Sequence, residues 1–243
     1  MTVFDLTLSR LNRLNRLNRL NRLKRLNRLR TSGGAALLAT LIVSGCAALP
    51  DKPQRAVNYD FGPGVVAVSA VQTSNASTVL PPIALAEIDS SAALNSGAVL
   101  YRLMYFNAQE LRPYAQARWS MPPAQLLRQR VSAQLGKNRA VLNPGDAITG
   151  SAGSTSPWAL RLELEEFSHL FESTTVSTGL LRLRATAVQP TAQGEKLLGQ
   201  RTFVIQRPAL SADVAGGVQA LTAASDAVVL EIDQWLQTLQ PSR

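Results

Sequence analysis

Between residues 158 and 167 the chain alternates, with Leu160, Leu162 and Leu164 falling on one side and Arg161, Glu163 and Glu165 on the other. Successive side chains of a strand point to opposite faces, so this is the pattern of a strand with one face in a core and one in water. Leu181, Leu183, Ala185 and Ala187 repeat it against Arg182, Arg184 and Thr186. Residues 199–206 add a third strand, with Gln193-Gly194 as the turn before it. Three such strands in succession predict an antiparallel meander with one wet face. Upstream, residues 59–63 predict a short strand ending in a turn, residues 83–88 a strand, and residues 99–106 a stronger one. Residues 64–79, rich in Ser, Ala and Val, read equally as strand or loop.

Elsewhere the period changes from two to that of a helix. Pro122 and Pro123 suit a helical first turn, Leu126, Leu127, Val131 and Leu135 share one side, and Gly136 follows the end, which predicts a helix of about 13 residues. Near the C-terminus, apolar or small residues recur in steps of four and three at Val214, Val218, Leu221, Ser225, Val228, Ile232, Trp235 and Leu239. With Ser211 as N-cap this predicts a helix of about 30 residues with one buried stripe. Core packing is the default reading of the stripe, and a partner or self-association face is the alternative. The elements together predict an α+β fold, a twisted and mainly antiparallel sheet packed by a mid-chain helix and a long C-terminal helix.

Charge alters the picture only at the N-terminus. The 243-residue chain carries a net +9, but residues 1–45 hold nine basic residues against Asp5, leaving +1 for everything after them. The basic residues belong to an Arg-Leu-Asn repeat whose leucines, Leu11 to Leu29, recur every third position. A helix turns about 100° per residue, so a three-residue period slips by about 60° each time and sustains no apolar face. With no basic surplus in the body, nucleic acid is not an expected partner. After the repeat comes the short apolar run AALLATLIV and then Val43, Ser44, Gly45 and Cys46. Basic stretch, short apolar core and small residues form a secretory signal, and a run this short does not span a bilayer.

The last four residues look like a bacterial lipobox, in which small residues fit the extended backbone to a signal peptidase and the thiol accepts the lipid. Cys46 is the only cysteine, so no internal disulfide competes for it. Cys46 is therefore expected to carry the N-terminal acyl/diacylglycerol lipid, with no other cofactor. One acyl chain binds a membrane only marginally, and a multiply acylated terminus meets the need for at least two signals. Ala47 after the cysteine, where aspartate would favour inner-membrane retention, favours the periplasmic face of the outer membrane. The expected organisation is a signal over residues 1–45, a lipidated tether over 46–57 and one periplasmic domain over 58–243.

Candidate chemistry is sparse. His169, the single histidine, ends an alternating strand and reads as structural; with one histidine and one cysteine, no zinc site of those ligands can be assembled. Glu163 and Glu165 read as the wet side of a strand, with Glu166 beside them. Residues 150–154 resemble a phosphate loop only in their glycines, without its lysine. An enzyme is not expected.

One ordered set of segments resembles a known family. The lipobox, Tyr59-Asp60-Phe61-Gly62-Pro63, Ala98-Val99-Leu100-Tyr101-Arg102, Ala117-Arg118-Trp119-Ser120-Met121-Pro122-Pro123 with its helix, and the final helix look like the ABC-type transport auxiliary lipoproteins. These are the paraquat-inducible protein C type lipoproteins that accompany MCE-domain lipid-transport systems. Residues 58–239 carry the likeness; Ser120 and Met121 depart from it, since members often have an acidic residue after the tryptophan. The resemblance implies a non-catalytic periplasmic subunit, held at a membrane by its lipid, that assists an MCE-domain protein and an ABC permease and ATPase in moving lipid between membranes. An envelope assembly or structural lipoprotein, binding an outer-membrane protein or peptidoglycan, is the alternative, and a periplasmic hydrolase with an unfamiliar site is a third reading. Trp119, Tyr101, Tyr105 and Tyr114 are the candidate partner- or lipid-contacting residues, because aromatics are enriched at binding hot spots, with a place in the core as the alternative for Tyr101 and Trp119.

Overall fold

The computed structural model describes residues 55–63, 80–144, 146 and 156–240. The repeat, the apolar run, the lipobox with Cys46 and the glycine loop at 150–154 lie outside them. The described chain forms an eight-stranded sheet with two helices. The strands are β1 (Val57–Tyr59), β2 (Ile83–Ser90), β3 (Ala98–Leu103), β4 (Asn107–Trp119), β5 (Val141–Leu142), β6 (Trp158–Phe171), β7 (Ser177–Thr191) and β8 (Gly194–Pro208). Helix α1 (Pro123–Leu135) follows β4 and α2 (Val214–Thr238) follows β8. The fold is the expected α+β one, and its long pairings, β6 with β7 and β7 with β8, form the antiparallel meander.

Beyond the meander the sheet is mixed. β6 carries β7 along one edge, while its other edge is divided: β2 runs parallel to its first half and β3 parallel to its last three residues. β5 extends the β2 branch, whereas β4 and then β1 extend the β3 branch. Residues 99–106 are not one strand. β3 ends at Leu103, Met104–Phe106 turn the chain, and β4 returns with Asn107 opposite Leu103. β4 escapes recognition in the sequence because its side chains are mostly half-buried or exposed and its pattern is that of an edge region, with Pro113 opposite Leu100.

β6 also departs from simple alternation. Leu164 pairs with Leu183 and Glu166 with Arg182, which leaves Glu165 as a bulge. An extra residue moves the inward set to the other parity. Leu160, Leu162 and Leu164 face the core before the bulge, and Phe167, His169 and Phe171 face it afterwards. The strand continues four residues past the expected end at Phe167.

The helices cover this inner face. α1 begins at Pro123, with no side-chain cap, and buries Leu126, Leu127, Val131 and Leu135, as its pattern predicts. The stripe of α2 from Val218 to Trp235 is buried in the core cluster, joined by Ala224, Val229 and Leu236. Its cap is Asp213, whose carboxylate accepts from Gly216 N at 2.8 Å, while the expected cap Ser211 donates to that carboxylate at 2.7 Å. The helix therefore has 25 residues, fewer than its apolar pattern suggests. Close approach is allowed by glycine: a Cβ on Gly179 would lie 2.8 Å from the backbone of Ala220. No helix of the described residues is long and apolar enough to cross a membrane.

One ion pair crosses the core. Arg139, in the segment after α1, meets Asp233 of α2 at 3.1 Å, and both side chains are buried. Burial lowers the pKa of Arg139 and Asp233 opposes the shift. Breaking one side of such a pair strands a buried charge, whereas replacing both sides with apolar groups is often tolerated. Asp233→Ala is expected to reduce the unfolding free energy by about 3–5 kcal/mol in urea titration, with the Arg139→Met/Asp233→Leu pair recovering most of it. A single-variant loss below about 1 kcal/mol would show that the pair is peripheral to stability.

Candidate functional site

Three connections converge at one end of the sheet. The β3–β4 turn is tied to the end of β6 by Met104 N donating to Phe171 O at 2.9 Å. The β6–β7 turn closes on itself through Glu172 N and Val176 O at 3.0 Å. The β8–α2 connection is tied to the start of β7 by Ala209 N donating to Ser177 O at 2.9 Å. Five of the nine large hydrophobic side chains exposed among the described residues stand on these connections: Met104, Tyr105, Phe106, Val176 and Leu210. Leu210 is 89% exposed and Phe106 73%. Apolar side chains scattered singly over a surface are ordinary, but a cluster on adjacent loops marks an interaction site.

A polar frame surrounds the tip. The Arg112 guanidinium lies 5.8 Å from the Phe106 ring centre, in cation–π range, and also binds Glu110, whose pKa this hydrogen bond lowers. Glu172 accepts from the Thr178 hydroxyl at 2.7 Å. On the outer face just behind, Arg102 grips Glu166 with two bonds, Nε to Oε1 at 3.2 Å and Nη2 to Oε2 at 3.1 Å.

Beneath the tip lies an aromatic floor. The Tyr101 ring lies 4.6 Å from that of Tyr114, tilted by 41°, and meets Phe171 edge-on at 6.0 Å, and His169 lies 4.3 Å from Phe171. His169 is fully buried and shares a 2.9 Å hydrogen bond between its Nδ1 and the Tyr114 hydroxyl. α2 passes so near that a Cβ on Gly217 would stand 2.3 Å from Nδ1. Burial pushes the His169 pKa down to about 4, against the pull of Asp213, and pushes Tyr114 above its ordinary value. Both groups are neutral near pH 7, and the floor is a rigid support. The expected structural role of His169 matches this placement. Glu163 and Glu165 both bind Arg184 on the outer face, as solvent-side residues of a strand.

The four aromatics chosen from the sequence do not form one surface. Tyr105 is on the tip, and Tyr101 and Tyr114 are half-buried in the floor. Trp119 is at the other end of β4, only 3% exposed, with Phe61 and Phe167 each 5.6 Å away. Its ring is a core residue. Phe106, Met104, Val176 and Leu210 were not among the chosen residues. The available signal was the run Met104-Tyr105-Phe106-Asn107, whose asparagine is a poor strand residue; read as a strand, that run hides its turn.

Comparison with known proteins gives the tip a context. A family model described as the ABC-type transport auxiliary lipoprotein component matches residues 65–233. The crystal structure of a Xanthomonas campestris protein is similar at 17% identity, covering 77% of this chain and 94% of that one, with a TM-score of 0.56. An uncharacterized protein of known structure is similar at 13% identity, with 75% and 99% covered and a TM-score of 0.52. A hypothetical protein from Chlamydia trachomatis aligns at 8% identity over 65% of this chain and 95% of that one, with a TM-score of 0.43. The first two likenesses are of fold. No curated protein matches the chain.

The buried imidazole has a measurable consequence. Unfolded, it titrates near 6.5, and folded near 4, so the unfolded chain binds the extra proton between those values and acid favours unfolding. Stability is expected to be full above about pH 6.5, to fall as pH drops towards 4, and to lose roughly 2–3 kcal/mol in that window. Denaturant titrations of the wild type and His169→Phe over this range test it: the variant's slope should be shallower, and equal slopes would assign the loss to other groups.

Proposed function

Because the chain belongs to the ABC-type transport auxiliary lipoprotein family, we propose that it is a non-catalytic subunit of an MCE-type intermembrane lipid-transport system. In this reading Cys46 carries the lipid that anchors the chain at the periplasmic face of the outer membrane. The tip then docks on the MCE-domain protein served by the ABC permease and ATPase.

The observation that carries the docking role is the placement of the two ends of the sheet. β1 lies parallel to β4, with Val57 opposite Ala117 and Tyr59 opposite Trp119, so the segment following the lipid-bearing cysteine joins the fold beside the end of β4. The tip adjoins the start of that strand. Ala98 and Leu103 of β3 pair with Arg118 and Asn107 near the two ends of β4, so five residue steps, roughly 17 Å along the sheet, separate them. A chain tethered through Val57, beside Ala117, has its apolar tip at the other end of β3 and β4, where a second component can meet it. Tyr105 and Phe106 are the aromatic anchors, and Arg112 and Glu110 form part of a polar rim, the usual anatomy of a docking site.

Intact mass of the membrane-extracted protein is expected to show an N-terminus at Cys46 with added acyl mass; an unacylated chain retaining the Arg-Leu-Asn repeat would refute the anchor. A photo-crosslinking residue at position 106 is expected to capture the MCE-domain protein, whereas one at Gln129 is not. Capture of only a peptidoglycan-binding or outer-membrane assembly protein would favour the structural-lipoprotein reading. Phe106→Ser with Leu210→Ser should weaken recovery of the partner about tenfold or more, while shifting stability by less than about 1 kcal/mol.

A further inference from the structure

The meander ends on an uncovered edge. β8 pairs with β7 alone, and among the described residues nothing pairs with its other side. The Ala209 N to Ser177 O bond sets the phase of the ladder. Hydrogen-bonded pairs then recur every second residue, from Gly179 with Arg207 to Ala185 with Arg201. The intervening residues of β8, Gln200, Thr202, Val204 and Gln206, direct their N–H and C=O groups outward. Sheets usually blunt such an edge with proline, a bulge or a free charge. Here the bulge at Leu198 and the proline at 208 lie outside the stretch 199–207. Arg201 points to the helix side, where it lies 4.7 Å from the Phe203 ring centre and 3.8 Å from Glu231. Arg207 shields one group, the Gln206 carbonyl, at 3.1 Å.

We infer that this edge pairs antiparallel with β8 of a second copy of the chain, across a twofold axis at Phe203. The reason is self-complementarity. That axis sets Gln200 opposite Gln206 of the second copy and Thr202 opposite its Val204, so every outward-facing residue meets another, with two backbone bonds at each pair once Arg207 swings off the Gln206 carbonyl. Between those pairs, Arg201 faces Ile205 and Gly199 faces Arg207, so no like charges are opposed. Neighbouring registers are worse. An axis at Val204 brings Pro208, which has no N–H, opposite Gln200, and an axis at Thr202 brings the bulged Leu198 opposite Gln206. Val204, 52% exposed on the outer face, gains Thr202 of the second copy as its neighbour. The inference rests on the β8 edge alone and is independent of the tip and its partner.

The test uses the detergent-extracted full-length lipoprotein in sedimentation across a micromolar dilution series, beside the Cys46→Ser chain, which removes association through the lipid. Both are expected to sediment at twice the monomer mass. Val204→Pro removes an outward N–H and no β7–β8 bond, so it should give monomer with little change in melting temperature. Ile205→Pro, which cuts the ladder itself, should melt earlier. Register is read separately from Thr202→Cys/Val204→Cys on the Cys46→Ser background, which a short bis-thiosulfonate linker should join into dimers. A wild type that stays monomeric, a Val204→Pro chain that stays dimeric, or cysteines that fail to link would overturn the inference. So would a foreign strand bound to the wild type and lost in Val204→Pro.

Discussion

The bulge at Glu165 decides which side chains of β6 face the C-terminal helix, and the rest of the fold is arranged around that choice. β6 is the strand on which the meander, the β2 branch and the β3 branch all meet. Without the extra residue, the parity that buries Leu160 and Leu162 would carry Glu166, Ser168 and Leu170 into the helix contact and turn Phe167, His169 and Phe171 outward. With it, Phe167 reaches the Phe61–Trp119 cluster at one side and Phe171 reaches Tyr101 at the other. Glu166 is released to the outer face, where Arg102 and the Ser168 hydroxyl hold it.

The same shift accounts for the histidine found in the core. His169 enters the interior because its parity requires it, and it fits because Gly217 lets the helix backbone pass against the ring. A larger residue at either Gly179 or Gly217 would push α2 away from the sheet at the point where three connections converge. The tip is therefore rigid from below and apolar from above. That combination suits a surface that recognises a partner without first having to order itself.

The sheet has two kinds of unfinished surface. At the tip, side chains lack a cover, and the chemistry offered is aromatic and aliphatic area framed by charge. Along β8, backbone groups have no partners among the described residues, and the chemistry offered is hydrogen-bonding valency with a fixed spacing. These select different occupants, since apolar area accepts varied shapes whereas a strand edge accepts only another strand. A subunit with both can meet its own kind sideways and another component end-on.

The meander, both helices, the α+β class and the family likeness are legible in the order of residues alone. The elements and the class rest on local periodicity, with leucines at every second position, stripes at steps of three and four, and prolines and a glycine bracketing α1, while the likeness rests on an ordered set of short segments. The sequence also raises the expectation of a lipid at Cys46, which depends on adjacent residues alone. The bulge, the β3–β4 turn, the division of the β6 edge and the Arg139–Asp233 pair arise from contacts that exist only once the chain has folded. Of the tip, Tyr105 alone was singled out from the sequence, and Trp119, chosen beside it, proved to be core. Aromatic character is visible in a sequence, but whether an aromatic is covered depends on chain segments distant in sequence. Met104–Phe106 are exposed because β4 folds back on β3, and Leu210 joins them because β8 ends where β7 begins. Both are long-range pairings, and no local pattern encodes which strand lies beside which.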